Sequence, residues 1–402
     1  MIGQQRNCIG RAAGNAPIHF NLYSYDKATF ASLLRSGAIP NLPNKDGLTA
    51  LHYICKEADD DDVFLMKLLF EISDSRHQLD HVNTQDNSGK TPLYYATTNC
   101  CKPKMIQMLL KRGANPNLAD VEGLTPLHKI CLRFDDDNCV DDFFKFCDDN
   151  HQLVQVDARD KLDRTPLHCA VMSFLPHVVD VLLDRGADLT SFVFPTESEF
   201  ETENGPRFKS KLAFGAVGVV ESLEKKGYKL NDGDALTIMK LFAKYELFGK
   251  STDMEKMLHD NEEFVNKVKN LLVFPRIKLD NEKKREARKI KKRLKSPILS
   301  LYDLLSQPEE AKKQYAYKDF FSLGFSAWCV NNKHFKEAHA LHLCEKMSRR
   351  FFLRYALYPF LELIHYRFPI EMCEIVMKHL KNQDLYNICL AVSCLRDKGN
   401  TK

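Results

Sequence analysis

Apolar residues recur at helical spacing along most of this chain, and the elements they predict are helices. Ile18 to Leu34 reads as two short helices. That stretch and two later ones end alike: Leu33-Leu34-Arg35-Ser36-Gly37-Ala38, Leu109-Leu110-Lys111-Arg112-Gly113-Ala114 and Leu182-Leu183-Asp184-Arg185-Gly186-Ala187. A Gly placed there caps a helix C-terminus. Lys209 to Gly227 keeps the spacing through Leu212, Ala213, Ala216, Val219, Val220 and Leu223, and Lys226-Gly227-Tyr228 echoes the same ending. Beyond Asp234, amphipathic helices are predicted over 236–247, 254–272, 298–305, 317–328, 338–352 and 355–366. The predicted fold class is all-α.

Between these helices a polar turn recurs. Gly47-Leu48-Thr49-Ala50-Leu51-His52, Gly89-Lys90-Thr91-Pro92-Leu93-Tyr94, Gly123-Leu124-Thr125-Pro126-Leu127-His128 and Asp163-Arg164-Thr165-Pro166-Leu167-His168 stand in one order. Gly supplies positive φ at the end of a tight turn, and Asp tolerates that region better than most residues. Thr is a good N-cap, and Pro fits the first helical position because its missing N–H would have no intrahelical partner. Asn41, Asn83, Asn117 and Asp157 each stand six residues before the turn Gly or Asp; Asn44, Asp86, Asp120 and Asp160 each stand three before it. The repeat starts are spaced by 42, 34 and 40 residues. The two long repeats resemble each other: both carry Ile-Cys followed by an acidic turn (Asp59–Asp62, Asp135–Asp137), and both close in His-Gln-Leu. A two-repeat unit of about 75 residues is therefore a second candidate period.

These motifs resemble the ankyrin repeat, and the likeness covers roughly residues 17–229 with degenerate caps at both ends. The resemblance implies a solenoid that binds a target protein. Its turn tips are the expected target-binding residues, being free of framework duties: Lys45, Asp46, Leu48, Asn87, Ser88, Lys90, Val121, Glu122, Leu124, Lys161, Leu162 and Arg164. Leu48, Val121, Leu124 and Leu162 are the expected anchors, as exposed apolar groups at tips have no folding reason to be there.

Composition changes this picture little. A hydrophobic share of 44% and a charged share of 28% are ordinary for a globular protein, and a net charge of +4 gives no global argument for nucleic acid or membrane. The first twenty residues hold Arg6 and Arg11 without an apolar core, so no secretory signal is expected. The 13 cysteines include several on helical faces (Cys55, Cys131, Cys169, Cys344, Cys389), and free thiols in a reducing, cytoplasmic setting are expected. No run approaches a membrane span; Arg354, Glu362, His365 and Arg367 interrupt the most apolar stretch.

The C-terminal stretch carries a second pattern. Phe368-Pro369-Ile370-Glu371 opens a helix with Met372, Ile375, Val376 and Leu380 at helical spacing. Asn382 is the expected N-cap of the next helix, with Asp384 in its first turn and Leu385 and Ile388 continuing the apolar face. This order is similar to the F-box, with Phe368 in place of the usual Leu and a third helix short or missing. An F-box-like segment after ankyrin repeats resembles the PRANC module of poxvirus and parasitoid-wasp ankyrin proteins, and Leu301-Tyr302-Asp303-Leu304 resembles a motif inside it. The resemblance implies a Skp-type adaptor and the cullin of an SCF-type ubiquitin ligase as partners. Its expected contacts are Phe368, Pro369, Ile370, Met372, Ile375, Val376, Leu380, Leu385 and Ile388.

The expected organisation is a disordered 1–16, repeats over 17–229, a helical connector over 230–295 and the F-box-like domain over 296–402. Lys283 to Lys295 is densely basic without aromatics; it reads as a nuclear import signal, a phosphate-binding strip or a solvated linker. The acidic turns read as helix caps or as an attraction for a basic partner. No catalytic motif, metal set or cofactor loop is present, so neither an enzyme nor a small-molecule substrate is expected. Two functions stay open: a ligase adaptor that recruits a target for ubiquitination, and a protein that sequesters a target such as a Rel-type transcription factor.

Overall fold

The computed structural model describes residues 16–19, 27–57, 63–75, 82–98, 102–133, 138–200, 209–248 and 333–400, with isolated positions between 259 and 306. The acidic turns, the basic run, Cys100, Cys101, His77-Gln78-Leu79, 301–304 and 317–328 lie outside them. The chain divides into two compact units, 1–173 with 180–192, and 174–179 with 193–402.

The first unit is a row of helix pairs. Inner helices are α2 (Ala50–Glu57), α4 (Pro92–Ala96), α6 (Pro126–Cys131) and α8 (Pro166–Met172). Outer helices are α1 (Lys27–Arg35), α3 (Phe64–Ser75), α5 (Pro103–Lys111), α7 (Cys139–Asp149) and α9 (Pro176–Asp184), the division between units passing inside α9. Each inner helix starts where the repeated Thr predicts. The Oγ1 of Thr91, Thr125 and Thr165 accepts from the backbone N–H three residues on, and Pro follows each. Leu51, Leu93, Leu127 and Leu167 are buried between repeats.

The polar turns project as fingers. At the base of each, Asn44, Asp86, Asp120 or Asp160 accepts two backbone N–H bonds, 2.9 Å each, from residues two and four further on. Consecutive fingers are tied by Asn87 N–H to Asp46 O, Val121 N–H to Ser88 O and Lys161 N–H to Glu122 O, 2.9 Å each. That stacking explains the glycines. A Cβ on Gly89 would come 2.8 Å from Val121 N, and one on Gly123 2.9 Å from Asp160 Cα. Asp163 holds the same left-handed geometry, φ 60°, in the fourth finger, on which no further finger of the repeat stacks among the described residues.

The outer helices are joined in alternation. α1 packs closely on α3, and α5 on α7. Across the other joints an arginine spans the helix ends. The Arg112 guanidinium lies 4.6 Å over the Phe70 ring and makes two 2.7 Å bonds to Asp74. Arg185 lies 4.6 Å over Phe144 and bonds both oxygens of Asp148, at 3.1 and 2.8 Å. The same clamp thus recurs two repeats on, matching the longer candidate period. Cys139 is disulfide-bonded, which corrects the expectation of free thiols throughout.

The second unit holds α10 (Lys209–Lys225), α11 (Asp232–Lys244), α12 (Lys333–Leu363), α13 (Ile370–Met377) and α14 (Asn382–Asn400). Asn231 caps α11 by accepting from Asp234 N–H at 2.9 Å. Phe352, fully buried, meets Phe242 edge-on at 5.2 Å and Phe248 at 5.7 Å. α12 packs on α10, α11, α13 and α14, and Glu224 of α10 takes bonds from Arg354 and from the Tyr355 hydroxyl.

Several expectations change here. α12 is one helix of 31 residues, with Pro359 inside it, where two were predicted. Its apolar face shifts along its length because its neighbours change, so the pattern reads as a break. α14 runs unbroken for 19 residues, so the second helix extends over the stretch where a third, short or missing, is expected. Leu272–Val273 (β1) pairs antiparallel with Leu299–Ser300 (β2), where the helical reading had extended. Among the described residues these are the only strands, and the fold class is all-α. No helix among the described residues is long and apolar enough to cross a membrane.

Candidate protein-binding surfaces

Two surfaces, one in each unit, take up the predicted site residues. In the first, finger residues stand against inner-helix residues, as Lys90 does over the Tyr94 ring at 5.8 Å, and the face they share is the groove. Lys45 and Asp46 are exposed at the first tip, and Val121 and Leu162 are exposed at 50% and 71%. Leu124 is half-buried. Leu48 is only 8% exposed, so it is a core residue and not the expected exposed anchor.

Freedom from framework duties also fails at several tips. The Asn87 amide donates to Lys45 O at 2.7 Å, and the Ser88 carbonyl holds the next finger. Glu122 pairs with Lys161 at 3.8 Å. Arg164 Nε donates to Asp160 at 2.8 Å, and the Asp160 carboxyl lies below its usual range, with this guanidinium the first favourable cause against burial. Lys90 lies 5.8 Å over the Tyr94 ring. Two groove members were not anticipated, Tyr95 and Lys129. Each stands directly after the repeated His or Tyr, and that shared register was the signal available.

The recurring histidines are inter-repeat ties. His52 Nδ1 accepts from Thr49 N–H at 3.1 Å, and Nε2 donates to Thr84 O and Lys90 O at 3.0 and 3.1 Å. His128 repeats this with Thr125 and Arg164 O. Burial lowers both pKa values below the ordinary 6.5. Burial pushes the thiols of Cys55 and Cys169 on the inner helices up to about 12, away from the thiolate. Among the described residues no group of His, Cys, Asp or Glu could hold a metal.

The second surface is α13. Its buried side is Cys373 and Met377, turned towards α12. Phe368, Ile370, Met372, Ile375 and Val376 are 46–58% exposed, and Pro369 beside them is exposed. Met372, Ile375 and Val376 stand three and four residues apart, which places them on one side of α13, and Phe368 precedes the helix. Leu380 and Ile388 are half-buried, and Leu385 is 0% exposed. Leu385 is therefore core, a correction to its reading as a contact.

A buried polar clasp sets the helix in place. Arg349 donates to Met377 O at 2.8 Å, at the end of α13, and to the Asn382 side chain at 3.0 Å. Asn382 donates to Glu345 O at 2.9 Å and to Ser348 at 3.1 Å. Its side chain is used across helices, so it does not act as the expected N-cap. Asp384 instead accepts Lys381 N–H at 2.9 Å.

A family model described as ankyrin repeats (3 copies) matches residues 18–120 and 101–192. The human transient receptor potential cation channel subfamily A member 1 is 27% identical over 179 residues, 44% of this chain and 15% of that protein. The rat NF-kappa-B inhibitor alpha is 31% identical over 124 residues, 30% of this chain and 38% of the inhibitor. An ankyrin repeat protein of Acanthamoeba polyphaga mimivirus is 25% identical over 175 residues, 44% of this chain and 21% of that protein. The chain thus spans well under two thirds of each relative. The turns, caps and histidine ties of the first unit agree with the family match, and the repeats of residues 18–192 are ankyrin repeats.

Proposed function

We propose that this protein is a two-ended interaction adaptor: the ankyrin groove holds a target protein, and α13 docks the Skp-type adaptor of an SCF-type ubiquitin ligase. The reading assigns 17–229 to target capture, 230–295 to a connector and 296–402 to docking, with action wherever the cullin resides, cytoplasm or nucleus. The observation that carries it is the exposed apolar stripe of Met372, Ile375 and Val376 on a helix whose other side is locked by the Arg349–Asn382 clasp, with Phe368 exposed just before it. A solvent-facing stripe on a well-held helix is an interaction surface more often than a packing accident. A specific interface buries roughly 1,200–2,000 Å², so α12 and α14 contribute contact beside α13.

The test uses purified full chain. Met372→Ser with Ile375→Ser leaves helix content and melting unchanged, since both side chains face water. Adaptor affinity falls by about thirtyfold, the equivalent of about 2 kcal/mol. The target is still captured and accumulates instead of turning over. Absence of adaptor binding by the unaltered chain sinks the reading. Sequestration is then the better account, and the likeness to an inhibitor of NF-kappa-B favours a Rel-type target for it.

A further inference from the structure

The ankyrin groove carries a charge pattern that its framework does not use. Lys90, Leu124 and Arg164 occupy one position on successive fingers, and Tyr95 and Lys129 one position on the adjoining inner helices. All five are half-buried, as groove walls are. Three are cations, and none of the five is acidic. The carboxylates nearest to them are already engaged. Asp86 takes Ser88 N–H, Lys90 N–H and the Tyr95 hydroxyl, the last at 2.6 Å. Asp120 takes Glu122 N–H and Leu124 N–H.

Arg164 is partly used by Asp160. Neither lysine makes a hydrogen bond or an ion pair within 4 Å among the described residues, although the charge of Asp120 acts on Lys129. Lys129 is half-buried and feels Lys90 as a like charge, so burial first and Lys90 second lower its pKa, with Asp120 opposing. A half-buried cation beside another cation is destabilised until an anion arrives. The fold thus holds two ammonium groups in a groove with an aromatic wall and an apolar wall.

We propose that the segment bound in this groove is an acidic peptide of the target protein, one carboxylate set between Lys90 and Lys129 and an apolar neighbour against Leu124 and Tyr95. This rests on the reading of the groove as the target site. Electrostatic pairing of this kind supplies specificity and on-rate more than bulk affinity.

The test displays a library of random twelve-residue peptides against the full chain, against K90Q/K129Q and against K90R/K129R. Both variants are first shown to melt with the unaltered chain. The pool selected by the unaltered chain is enriched in Asp and Glu next to an apolar residue. Individual peptides from it bind K90Q/K129Q at least tenfold more weakly, while K90R/K129R retains them. Raising salt weakens binding to the unaltered chain more than binding to K90Q/K129Q. An unaltered-chain pool without acidic enrichment, or one bound equally by K90Q/K129Q, overturns the proposal. So does competition of the selected peptides by nucleic acid alone. Capture of the target is scored separately with Val121→Ser and Leu162→Ser. If these tips matter while the pool is not acidic, the groove remains the target site and only the acidic assignment falls.

Discussion

His19, His52 and His128 are held as neutral imidazoles. In each ring Nδ1 accepts a backbone N–H and Nε2 faces a carbonyl, of Leu42, of Thr84 with Lys90, and of Arg164. Burial lowers all three pKa values from 6.5, and the carbonyl bonds oppose it only in part. As pH falls, the unfolded chain therefore takes up these protons first. The stability contributed by neutral rings is complete above 6.5 and is lost as pH falls from there towards the lowered folded values. Melting followed from about pH 7.5 to about pH 5.5 should fall, and His52→Gln with His128→Gln should flatten the slope. An unchanged slope in that double variant would place the titrating groups elsewhere. The roles of His52 and His128 were legible in the sequence because His recurs beside Leu at a fixed place; His19 follows Ile18 in the opening segment and gave no such sign. The fate of Leu48 was not: its burial depends on how the fingers stack, which no single repeat contains.

Within elements, the same contrast runs between periodicity and neighbours. The inner helices were legible because Thr, Pro and Leu each have a local job. Leu127 is fully buried, and Leu127→Ala should cost about 2–5 kcal/mol of stability, read by denaturant unfolding. A loss under about 0.5 kcal/mol would mean that the stacking register is wrong. Leu385→Ala belongs in the same class, because Leu385 is core in α14. It should unfold the second unit at lower denaturant, where Ile375→Ser does not. The sequence marked Leu385 and Ile375 alike as apolar residues on a helix. What separates them is the buried side of α13, set by Cys373, Met377 and the Arg349–Asn382 clasp. Those partners lie about 30 residues away in the chain, beyond the reach of a helical pattern. The continuity of α12 was hidden for a related reason, since its packing partners change along its length.

At the scale of the molecule, each unit has its own core, and the array of the first unit alternates. Odd repeats supply an aromatic ring and an aspartate, Phe70 with Asp74 and Phe144 with Asp148; even repeats supply Arg112 and Arg185. Counting back from the positive-φ residue that ends each outer helix, Gly113 and His151, the intervening joint would need Ile106 and Leu110 to meet Asn150. No ion pair is possible between those side chains. Excising the second and third repeats together would set Phe70 and Asp74 against Arg185 and restore a clamp. Excising the second alone would face Asp74 with Asn150, and excising the third alone would face Leu110 with Arg185. Each shortened chain keeps one clamp, but only the chain shortened by two leaves no member of the set unpartnered; Arg185→Gln should therefore lower melting of that chain and not of the chain lacking the third repeat alone, and equal effects would show that the clamps are incidental. The pair is then the unit in which such an array can be inherited: duplications and losses of even parity leave every arginine with its aspartate, and odd ones strand a partner.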